Sequence, residues 1–526
     1  MSDGATQAGA GNEAVEEFRR RRDVVRVEMG GTARIAALRA DGKLTARERI
    51  AAFVDAGSFE EVGTFATSET PGDRDSTPGD GTIAGHATLG GAPISLAADD
   101  ITVKRASSSV ISQKRSHRVY EQALLSGNPF VYFAERGGAR IPDSLGSEGF
   151  AKVGGAPPTL GMRRRRIPYV TAVLGDSFGG STITALGSDL TIQLDGTCMA
   201  MTSPGVIEIA TGQQVTNEEL GGSAVHDRRT GMIDRVATDE AHAFALAAEF
   251  LSYLPPNAWT PPAVDPLAAE PTPDPTLVDL VPVSRRRTYD MAAVLRRLTD
   301  DGTWFELRAG TGRGLITALA RVGGQTVGIV ASQPRFEGGV LTPKACDKAT
   351  RLLCLCDAFS IPVVFLLDTP GFLVGTDVEH EGLVPKAVLF QQALAHLAVP
   401  KLTVVLRKAF GLAFFSLAGS PEVSDLVLAW PGAEIGFMDP QVGANVLYSD
   451  QLQALPGDER AAELQRRAAG LAAATDPYAP AGIMRLDEIV DPADTRVALV
   501  RALRRHAGRP FSPGWERPLA AWPTIW

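Results

Sequence analysis

The sequence predicts an α/β protein made of two tandem domains related by internal duplication. Three observations support this prediction. The chain of 526 residues is long enough for two large domains. A proline-dense segment divides the chain almost in half. The same order of strands, glycine turns and helices occurs on both sides of that segment, at a nearly constant spacing.

The first half begins with a short lead-in followed by a helical region. Residues 1–14 lack the basic start and apolar core of a signal peptide, and we expect them to be a disordered lead-in. Residues 15–260 are predicted to form the N-terminal domain. Near its start, Thr45 followed by Glu48 predicts a capping box at the beginning of a helix.

Three pairs of segments carry the repeat, and a fourth pair matches more loosely. Each segment of the first pair is predicted as a strand, a Gly-Gly hairpin turn and a second strand. Each segment of the second pair is a strand that ends in a glycine turn, and the third pair adds the start of a helix. The pairs are residues 81–100 and 315–334, 128–140 and 361–373, 167–186 and 399–418, and, loosely, 201–206 and 438–443. Pro168 and Pro400, like Gly179 and Gly411, are 232 positions apart, so the register holds across the third pair.

The break between the halves is dense in proline. Residues 255–283 are predicted to be extended, because proline disfavours helix and strand interiors. We assign residues 261–283 to a linker and residues 284–526 to a C-terminal domain.

Composition makes several classes of protein improbable. A net charge of -9 without a basic stripe argues against a nucleic-acid partner. The apolar run in RKAFGLAFFSLAG (407–419) is too short to span a bilayer, so no membrane association is expected. The four cysteines form no CxxC motif and are expected to be reduced, buried thiols of a cytoplasmic protein. None of the seven histidines has another three or four positions later, so we expect no metal site.

Two glycine turns in each half could supply chemistry through backbone N–H groups. Free N–H groups at the start of a helix can bind an oxygen that becomes negative during a reaction. The turns are ERGGAR and SFGGST in the first half, and DTPGFL and AFGLAF in the second. The alternative is that the glycines only permit tight turns and close packing, and the repetition favours a function. Asp368 is either a base or a turn cap, and Arg163–Arg166 face either phosphates or solvent.

Several long motifs of the chain are similar to those of a known family. The chain resembles the carboxyltransferase (β) subunits of biotin-dependent acyl-CoA carboxylases, such as propionyl-CoA carboxylase, from about residue 15 onward. The motifs are GKLTARERI (42–50), GSFEE (57–61), GGARI (137–141), VTNEELGG (215–222), the cluster at 331–351, and DTPGFLVGTDVEHEG (368–382). The resemblance implies two crotonase-like domains. It also implies a homohexamer in which acyl-CoA binds the N-terminal domain of one subunit and carboxybiotin binds the C-terminal domain of another.

The resemblance also implies the site residues and the partners. Gly137, Gly138, Gly179 and Gly180 would hold the thioester oxygen, and Gly371, Gly411, Leu412 and Ala413 would hold the ureido oxygen of biotin. The remaining predicted contacts with CoA or biotin are Ala139, Arg140, Phe178, Phe372, Phe414 and Phe415. Biotin would arrive on a separate carrier charged by a biotin carboxylase, because the chain has no biotin-attachment tetrapeptide. Propionyl-CoA is the leading substrate, ahead of acetyl-CoA or a longer chain.

Three segments differ from the usual pattern of the family. Glu135-Arg136 precedes the first Gly-Gly and is a candidate ion pair beside the thioester. KRASSS (104–109) replaces a glycine-rich turn, which disfavours a close approach of the backbone to CoA. Leu412 replaces a glycine and resists positive φ, and Phe415 reshapes the pocket that it faces. Two other functions therefore remain: a biotin-independent acyl-CoA decarboxylase or hydrolase, and a non-catalytic scaffold subunit.

Overall fold

Two units, divided between Ser252 and Tyr253, each contain one eight-stranded sheet. The structure is a computed structural model that describes residues 3–153, 164–285, 287–507 and 517–522. The α/β class and the tandem duplication predicted from the sequence are both confirmed.

The first sheet has the strand order β1-β2-β3-β4-β5-β6-β8, with β7 paired to β5. β1, β2 and β3 are antiparallel, and all other pairings are parallel. The strands are β1 Glu60–Val62, β2 Thr82–Leu89, β3 Ala92–Asp99, β4 Phe130–Arg136, β5 Tyr169–Phe178, β6 Leu190–Leu194, β7 Met199–Ala200 and β8 Arg235–Ala237. The α-helices in this part of the chain are Asp3–Asp23, Thr32–Ala40, Ala46–Phe53, Val110–Ser126, Ile141–Ser144, Gly146–Val153, Gly180–Leu186, Pro204–Thr211, Asn217–Gly221, Ser223–Val225 and Glu240–Tyr253.

The second sheet repeats this topology. Its order is β9-β10-β11-β12-β13-β14-β16, with β15 paired to β13. The strands are β9 Trp304–Leu307, β10 Leu315–Val322, β11 Gln325–Ser332, β12 Val363–Thr369, β13 Lys401–Phe410, β14 Leu426–Ala429, β15 Glu434–Gly436 and β16 Glu488–Ile489. The α-helices are Leu277–Leu280, Met291–Leu298, Pro343–Ala358, Thr376–His380, Leu383–His396, Leu412–Ser416, Pro440–Leu447, Ser449–Gln453, Gly457–Ala472, Tyr478–Gly482 and Thr495–His506.

The duplication holds residue by residue along the central strands. β2, β3 and β4 recur 233 positions later as β10, β11 and β12 with the same lengths, and β5 recurs 232 positions later as β13. The helices that follow β3 and β11 begin in the same way, because the side chains of Ser109 and Thr342 each accept a hydrogen bond from the third residue of the helix. The loose fourth pair also corresponds, since Pro204 and Pro440 are both the first residue of a helix.

Both predicted hairpins close through two glycines with positive φ. Gly90 and Gly91 have φ of 57° and 78°, and Gly323 and Gly324 have φ of 60° and 79°. Two central residues with φ above zero match the twist of the adjoining antiparallel strands, and glycine is the residue that adopts them at least cost. The Gly-Gly pairs therefore fix the register of β2 with β3 and of β10 with β11.

Apolar strands build a separate core in each unit. In the first, Tyr120, Phe130 and Tyr169 pack ring against ring with centroids 5.2 to 5.7 Å apart. In the second, Leu366 and Val404, on the parallel strands β12 and β13, are fully buried in one apolar cluster. Parallel strands are covered on both faces, which explains why these segments are almost continuously apolar. The cores hold the carboxyl ends of the strands, and the turns that follow them, in fixed positions.

Two segments differ from their predictions. The helix Asp3–Asp23 includes residues 3–14, which we expected to be disordered, and its alanine and glutamate content is compatible with a helix. The linker segment 261–283 packs on the second unit: the Asp265 amide donates to Gly324 O at 2.9 Å, and Leu277 is fully buried. The capping box at Thr45 and Glu48 is present as predicted.

The four cysteines are free and buried, as expected. None of the helices in the described part of the chain has the length and apolar character needed to cross a bilayer. Of the arginine run, Arg163 lies outside the described residues, and Arg165 is buried with its Nε 3.5 Å from a carboxylate oxygen of Asp189. That arginine is therefore directed to an internal partner.

Candidate active site

The two glycine turns of the first unit lie side by side at the carboxyl edge of its sheet. Arg136 at the end of β4 is in register with Ser177 near the end of β5. A Cβ added to Gly138 would lie 4.0 Å from the Cβ of Phe178, which is buried. The structure thus brings the Gly137-Gly138 turn next to the Gly179-Gly180 turn.

The turn after β5 requires glycine at one position only. Gly179 has φ 68° and ψ -120°, a conformation that residues with a side chain rarely adopt. Its amide donates to Ala200 O at 3.1 Å, so it is not available to a ligand. Gly180 is the first residue of the following helix, and its amide has no acceptor among the described residues. Of these two predicted donors, only Gly180 presents a free N–H.

The turn after β4 is held by a neighbouring loop. Ser108 donates its amide to Gly138 O at 2.8 Å and accepts from the Arg140 amide at 2.9 Å. The Gly137 amide, which was predicted to donate to the substrate, donates to Arg105 O at 3.1 Å and is therefore occupied. Within the ranges that the structure describes, the amides of Gly138 and Ala139 have no acceptor. The free pair is therefore shifted one residue from the predicted pair.

Arg140, which was predicted to contact CoA, is directed to partners within the chain. Its side chain is buried, and Nη1 donates to a carboxylate oxygen of Asp80 at 2.6 Å. Nη2 donates to Ser107 O at 3.2 Å. This arginine anchors the turn to two preceding segments.

Glu135 and Arg136 do not pair with each other, and the predicted ion pair is wrong. Successive side chains of a strand point to opposite faces, and each of these two finds a different partner. Arg49 Nη1 donates to Glu135 at 2.5 Å and Arg49 Nη2 donates to Glu240 at 2.7 Å. On the other face, Arg136 pairs with the buried Asp99.

Both buried arginines stay charged. Burial lowers the pKa of Arg49, but the Glu135 and Glu240 carboxylates outweigh burial and leave that pKa raised. Burial opposes the charge of Arg136 in the same way, and the Asp99 carboxylate raises its pKa above the ordinary value. Arg49 was not predicted as a support of the site, although it lies in the GKLTARERI motif on which the resemblance rests.

The second unit repeats the turn after its central strand. Gly411 has φ 62° and ψ -148°, and its amide donates to Gly436 O at 2.9 Å. The following helix begins at Leu412, and the amides of Leu412 and Ala413 have no acceptor in the described part of the chain. Leu412 is absent from the residues with positive φ, so the expected conflict between leucine and a left-handed conformation does not arise.

The turn after β12 also repeats its counterpart. Leu341 donates its amide to Gly371 O at 3.0 Å and accepts from the Leu373 amide at 2.9 Å. The Gly371 amide, which was predicted to hold the ureido oxygen, donates to Thr369 Oγ1 at 3.2 Å and is therefore occupied. The Phe372 amide has no acceptor among the residues described. The free N–H of this turn therefore lies one residue beyond Gly371, whereas in the first unit Gly138 itself has a free N–H.

The aromatic residues of the second turn differ in exposure. Phe414 and Phe415 contact each other edge to face at 5.1 Å. Phe414 is partly buried, whereas 53% of Phe415 is exposed, close to the 52% exposure of Leu412. Two apolar side chains therefore flank the free amides of Leu412 and Ala413.

Asp368 is not placed to act as a base. It is fully buried, and Arg407 Nε donates to it at 3.0 Å while the Lys408 amide donates to its other oxygen at 3.2 Å. Burial lowers the pKa of Lys408, and Asp368 acts in the opposite direction. Burial also raises the pKa of Tyr289, with a further contribution from Asp368. This carboxylate is the counter-ion that anchors the carboxyl ends of β12 and β13.

The segment KRASSS (104–109), which was expected to disfavour a close approach of the backbone to CoA, has a backbone conformation that is typical of glycine. Lys104, Arg105 and Ala106 have φ of 49°, 56° and 50°. The corresponding residues 233 positions later, Glu337–Gly339, have φ of 50°, 67° and 83°. The turn after β3 thus has the same shape as the turn after β11, although it contains no glycine.

Comparison with known proteins identifies the relatives of this chain. A family model for the carboxyl transferase domain matches residues 37–517. The methylmalonyl-CoA carboxyltransferase 12S subunit of Propionibacterium freudenreichii subsp. shermanii is 35% identical over 499 residues, covering 94% of both chains. The propionyl-CoA carboxylase carboxyltransferase subunit of Haloferax mediterranei is 34% identical over 510 residues, covering 93% of this chain and 95% of the relative. A crystal structure of transcarboxylase 12S, a hexamer assembly with methylmalonyl-CoA and methylmalonic acid bound, superimposes with a TM-score of 0.86 at 34% identity, covering 96% and 98% of the two chains.

Proposed function

Because this chain belongs to the carboxyl transferase family, as a carboxyltransferase subunit of acyl-CoA carboxylases, we propose that it carboxylates the α-carbon of propionyl-CoA. The observation that carries the proposal is the matched set of free amides in the two units. Gly138, Ala139 and Gly180 supply them in the first unit, and Leu412 and Ala413 in the second. Removal of the α-proton puts negative charge on a thioester oxygen, which neutral donors in fixed positions stabilise.

In this proposal the first unit holds the acyl thioester. The amides of Gly138 and Gly180 come from adjacent turns at one sheet edge, which suits two donors to one oxygen. The ion pairs of Arg49 and Arg136 on either face of β4 fix the position of the turn. Such donors contribute to rate because they are in place before the charge develops.

The second unit is proposed to receive biotin. Carboxybiotin supplies the carboxyl group when it is bound. The amides of Leu412 and Ala413 would hold its ureido oxygen, and the exposed side chains of Leu412 and Phe415 offer apolar contact to its rings. The same turn geometry in both units, with Gly179 matching Gly411, supports a donor role for the amides that follow these two glycines.

The proposal extends to assembly and location. We propose a homohexamer that works with a biotin carboxylase and a separate biotin carrier. The hexamer in the structure of transcarboxylase 12S supports the first point. Four free, buried thiols support a cytoplasmic location.

The test is fixation of labelled bicarbonate. The chain is incubated with a biotin carboxylase, a biotin carrier, ATP, 14C-bicarbonate and a panel of acyl-CoA esters. Acid-stable label on propionyl-CoA, dependent on the carrier, is the expected result. No label on any ester would refute the proposal. Turnover of methylmalonyl-CoA without a carrier would instead identify a decarboxylase or hydrolase. Wild-type activity of the complex with variants of this chain that lack the donor amides would identify a non-catalytic scaffold subunit.

A further inference from the structure

A strained, charged turn borders the predicted acyl site. Lys104, Arg105 and Ala106 are three consecutive residues with side chains in the left-handed region, which normally favours glycine. The duplicate turn uses Gly338 and Gly339 at the last two of these positions. Strain of this kind accumulates at functional sites, where a side chain compensates for it. The charged side chains of the first turn therefore require an explanation that the fold alone does not provide.

Arg105 contacts the glycine turn directly. Its carbonyl oxygen accepts the Gly137 amide at 3.1 Å. A Cβ added to Gly137 would lie 3.5 Å from the Cβ of Arg105 and 3.8 Å from its Nε. The arginine stem thus lies over the first glycine, one residue from the free amide of Gly138. Its guanidinium is at the border of the set of free donors.

The guanidinium of Arg105 has no counter-ion within the described ranges. Three carboxylates that contact Lys104 or the glycine turn after β4 are already paired: Asp73 with Lys104 at 3.3 Å, Asp80 with Arg140, and Asp99 with Arg136. The Arg105 side chain is exposed, and no hydrogen bond or ion pair to it occurs among the described residues. A cation that is left unpaired beside a set of amide donors suits an anionic ligand.

We infer that Arg105 binds an anionic oxygen group of the acyl-CoA, either a phosphate of the CoA portion or the carboxylate of the carboxylated acyl group. This inference rests on the proposed function, because it assumes that an acyl-CoA occupies the first unit. Arginine suits both groups, since its planar guanidinium can donate two parallel hydrogen bonds to a phosphate or a carboxylate. Arg105 is then a specificity residue that the duplicate turn lacks.

The test compares Arg105→Gly with Arg105→Lys. Glycine adopts the left-handed conformation freely, as Gly338 does at φ 67°, so Arg105→Gly removes the charge without endangering the turn. Lysine keeps the charge. Arg20→Ala removes an exposed arginine from the helix Asp3–Asp23 and is the matched control. Each variant is assayed in both directions of the carboxyl transfer, with propionyl-CoA, methylmalonyl-CoA and the propionyl thioester of pantetheine as substrates.

The expected result is a KM about 10- to 100-fold higher for Arg105→Gly on the substrates that carry the bound anionic group, as befits loss of a charged hydrogen bond. If phosphate is the ligand, KM rises for propionyl-CoA and for methylmalonyl-CoA and stays unchanged for the pantetheine thioester. If the carboxylate is the ligand, KM rises for methylmalonyl-CoA only. In either case Arg105→Lys restores much of the loss, and high salt raises the wild-type KM toward that of the variant.

Two results would overturn the inference. The first is an Arg105→Gly enzyme with wild-type constants for every substrate. The second is an equal loss on the pantetheine thioester, because that would mean a disturbed turn and not a lost anion contact. If the wild type fixes no label, the proposed function fails separately. Calorimetric titration of wild type and Arg105→Gly with CoA and with methylmalonyl-CoA then decides the inference: weaker binding of either ligand by the variant supports it, and equal binding of both overturns it.

Discussion

Replacing Gly180 by proline removes one N–H from the predicted acyl site and leaves the shape of the turn in place. Gly180 is the first residue of the helix Gly180–Leu186. Proline fits best at this position, because the N–H of the first residue makes no hydrogen bond within the helix. The residue before it is Gly179, which has no Cβ for the proline ring to strike. A Cβ added to Gly180 would meet nothing within 4 Å. The variant is therefore expected to fold, with a change in unfolding free energy below about 1 kcal/mol.

The effect on rate is expected to be much larger than the effect on stability. Loss of one well-placed donor to a developing oxyanion costs about 100- to 1000-fold in kcat, or about 2.7 to 4 kcal/mol. KM for the acyl-CoA should change little, because the hydrogen bond is strongest when the oxygen carries full negative charge. The assay is carrier-dependent 14C fixation at saturating substrate, with a thermal melt of each protein.

Gly180→Ala is the matched control, since it adds a Cβ in the same open space and keeps the N–H. We expect its kcat to remain within about threefold of wild type, a barrier change below about 0.7 kcal/mol. Equal kcat values for the proline and alanine variants would refute the assignment of the Gly180 amide as a donor. A proline variant that melts far below wild type would refute the account of the turn itself.

Three further predictions concern the second unit, the buried charges and the thiols. Leu412→Gly should not raise activity, because Leu412 already lies in a helix and needs no left-handed conformation, and a more active variant would contradict this. Gly411→Ala should instead lower the free energy of unfolding, measured in urea, by about 1 to 3 kcal/mol. Glu135→Gln should lower the unfolding free energy by about 1 to 3 kcal/mol, since Arg49 keeps only one carboxylate, and unchanged urea midpoints would argue against the buried pair. Burial raises the pKa of Cys346 to about 12, so this thiol should not react with a thiol reagent at pH 8 in the native protein. Because the same thiol ionises near pH 9 in the unfolded chain, the free energy of unfolding should also fall as pH rises from about 9 to 12. Rapid labelling of Cys346 in the native protein would contradict both statements.

The repeat was predictable because spacing and alternation are local properties of a sequence. The run from Tyr169 to Phe178 and the run from Lys401 to Phe410 are each a single apolar strand that ends in a phenylalanine and a glycine. A buried strand, a glycine turn and a helix N-terminus can be assigned from such a run without knowing what packs on it. The positions of the turns at the sheet edge follow directly from the parallel order of the strands.

The availability of individual amides was not predictable in the same way. The Gly137 amide is occupied by Arg105 O, and the Gly411 amide is occupied by Gly436 O. Arg105 lies in the turn that follows β3 and Gly436 is the last residue of β15. Pairing between such distant segments leaves no local mark in the sequence. Of the predicted glycines, only Gly138 and Gly180 keep an N–H that is free of acceptors in the described part of the chain, and the other free N–H groups belong to residues that follow the glycines. That Glu135 and Arg136 have separate partners was predictable, because adjacent residues of a strand face opposite sides of the sheet.

The division between shaping residues and donating residues explains how the two units can differ in sequence and keep one geometry. Gly179 and Gly411 are constrained by φ values of 68° and 62°, so neither position tolerates a side chain without strain. The next residue is free of that constraint, and it is glycine in the first unit and leucine in the second. A side chain at this second position alters what the turn contacts without moving the N–H that it donates. We therefore expect the Leu412 side chain to affect which ligand the second turn binds, and the absence of a side chain at Gly180 to leave room for the proposed acyl group.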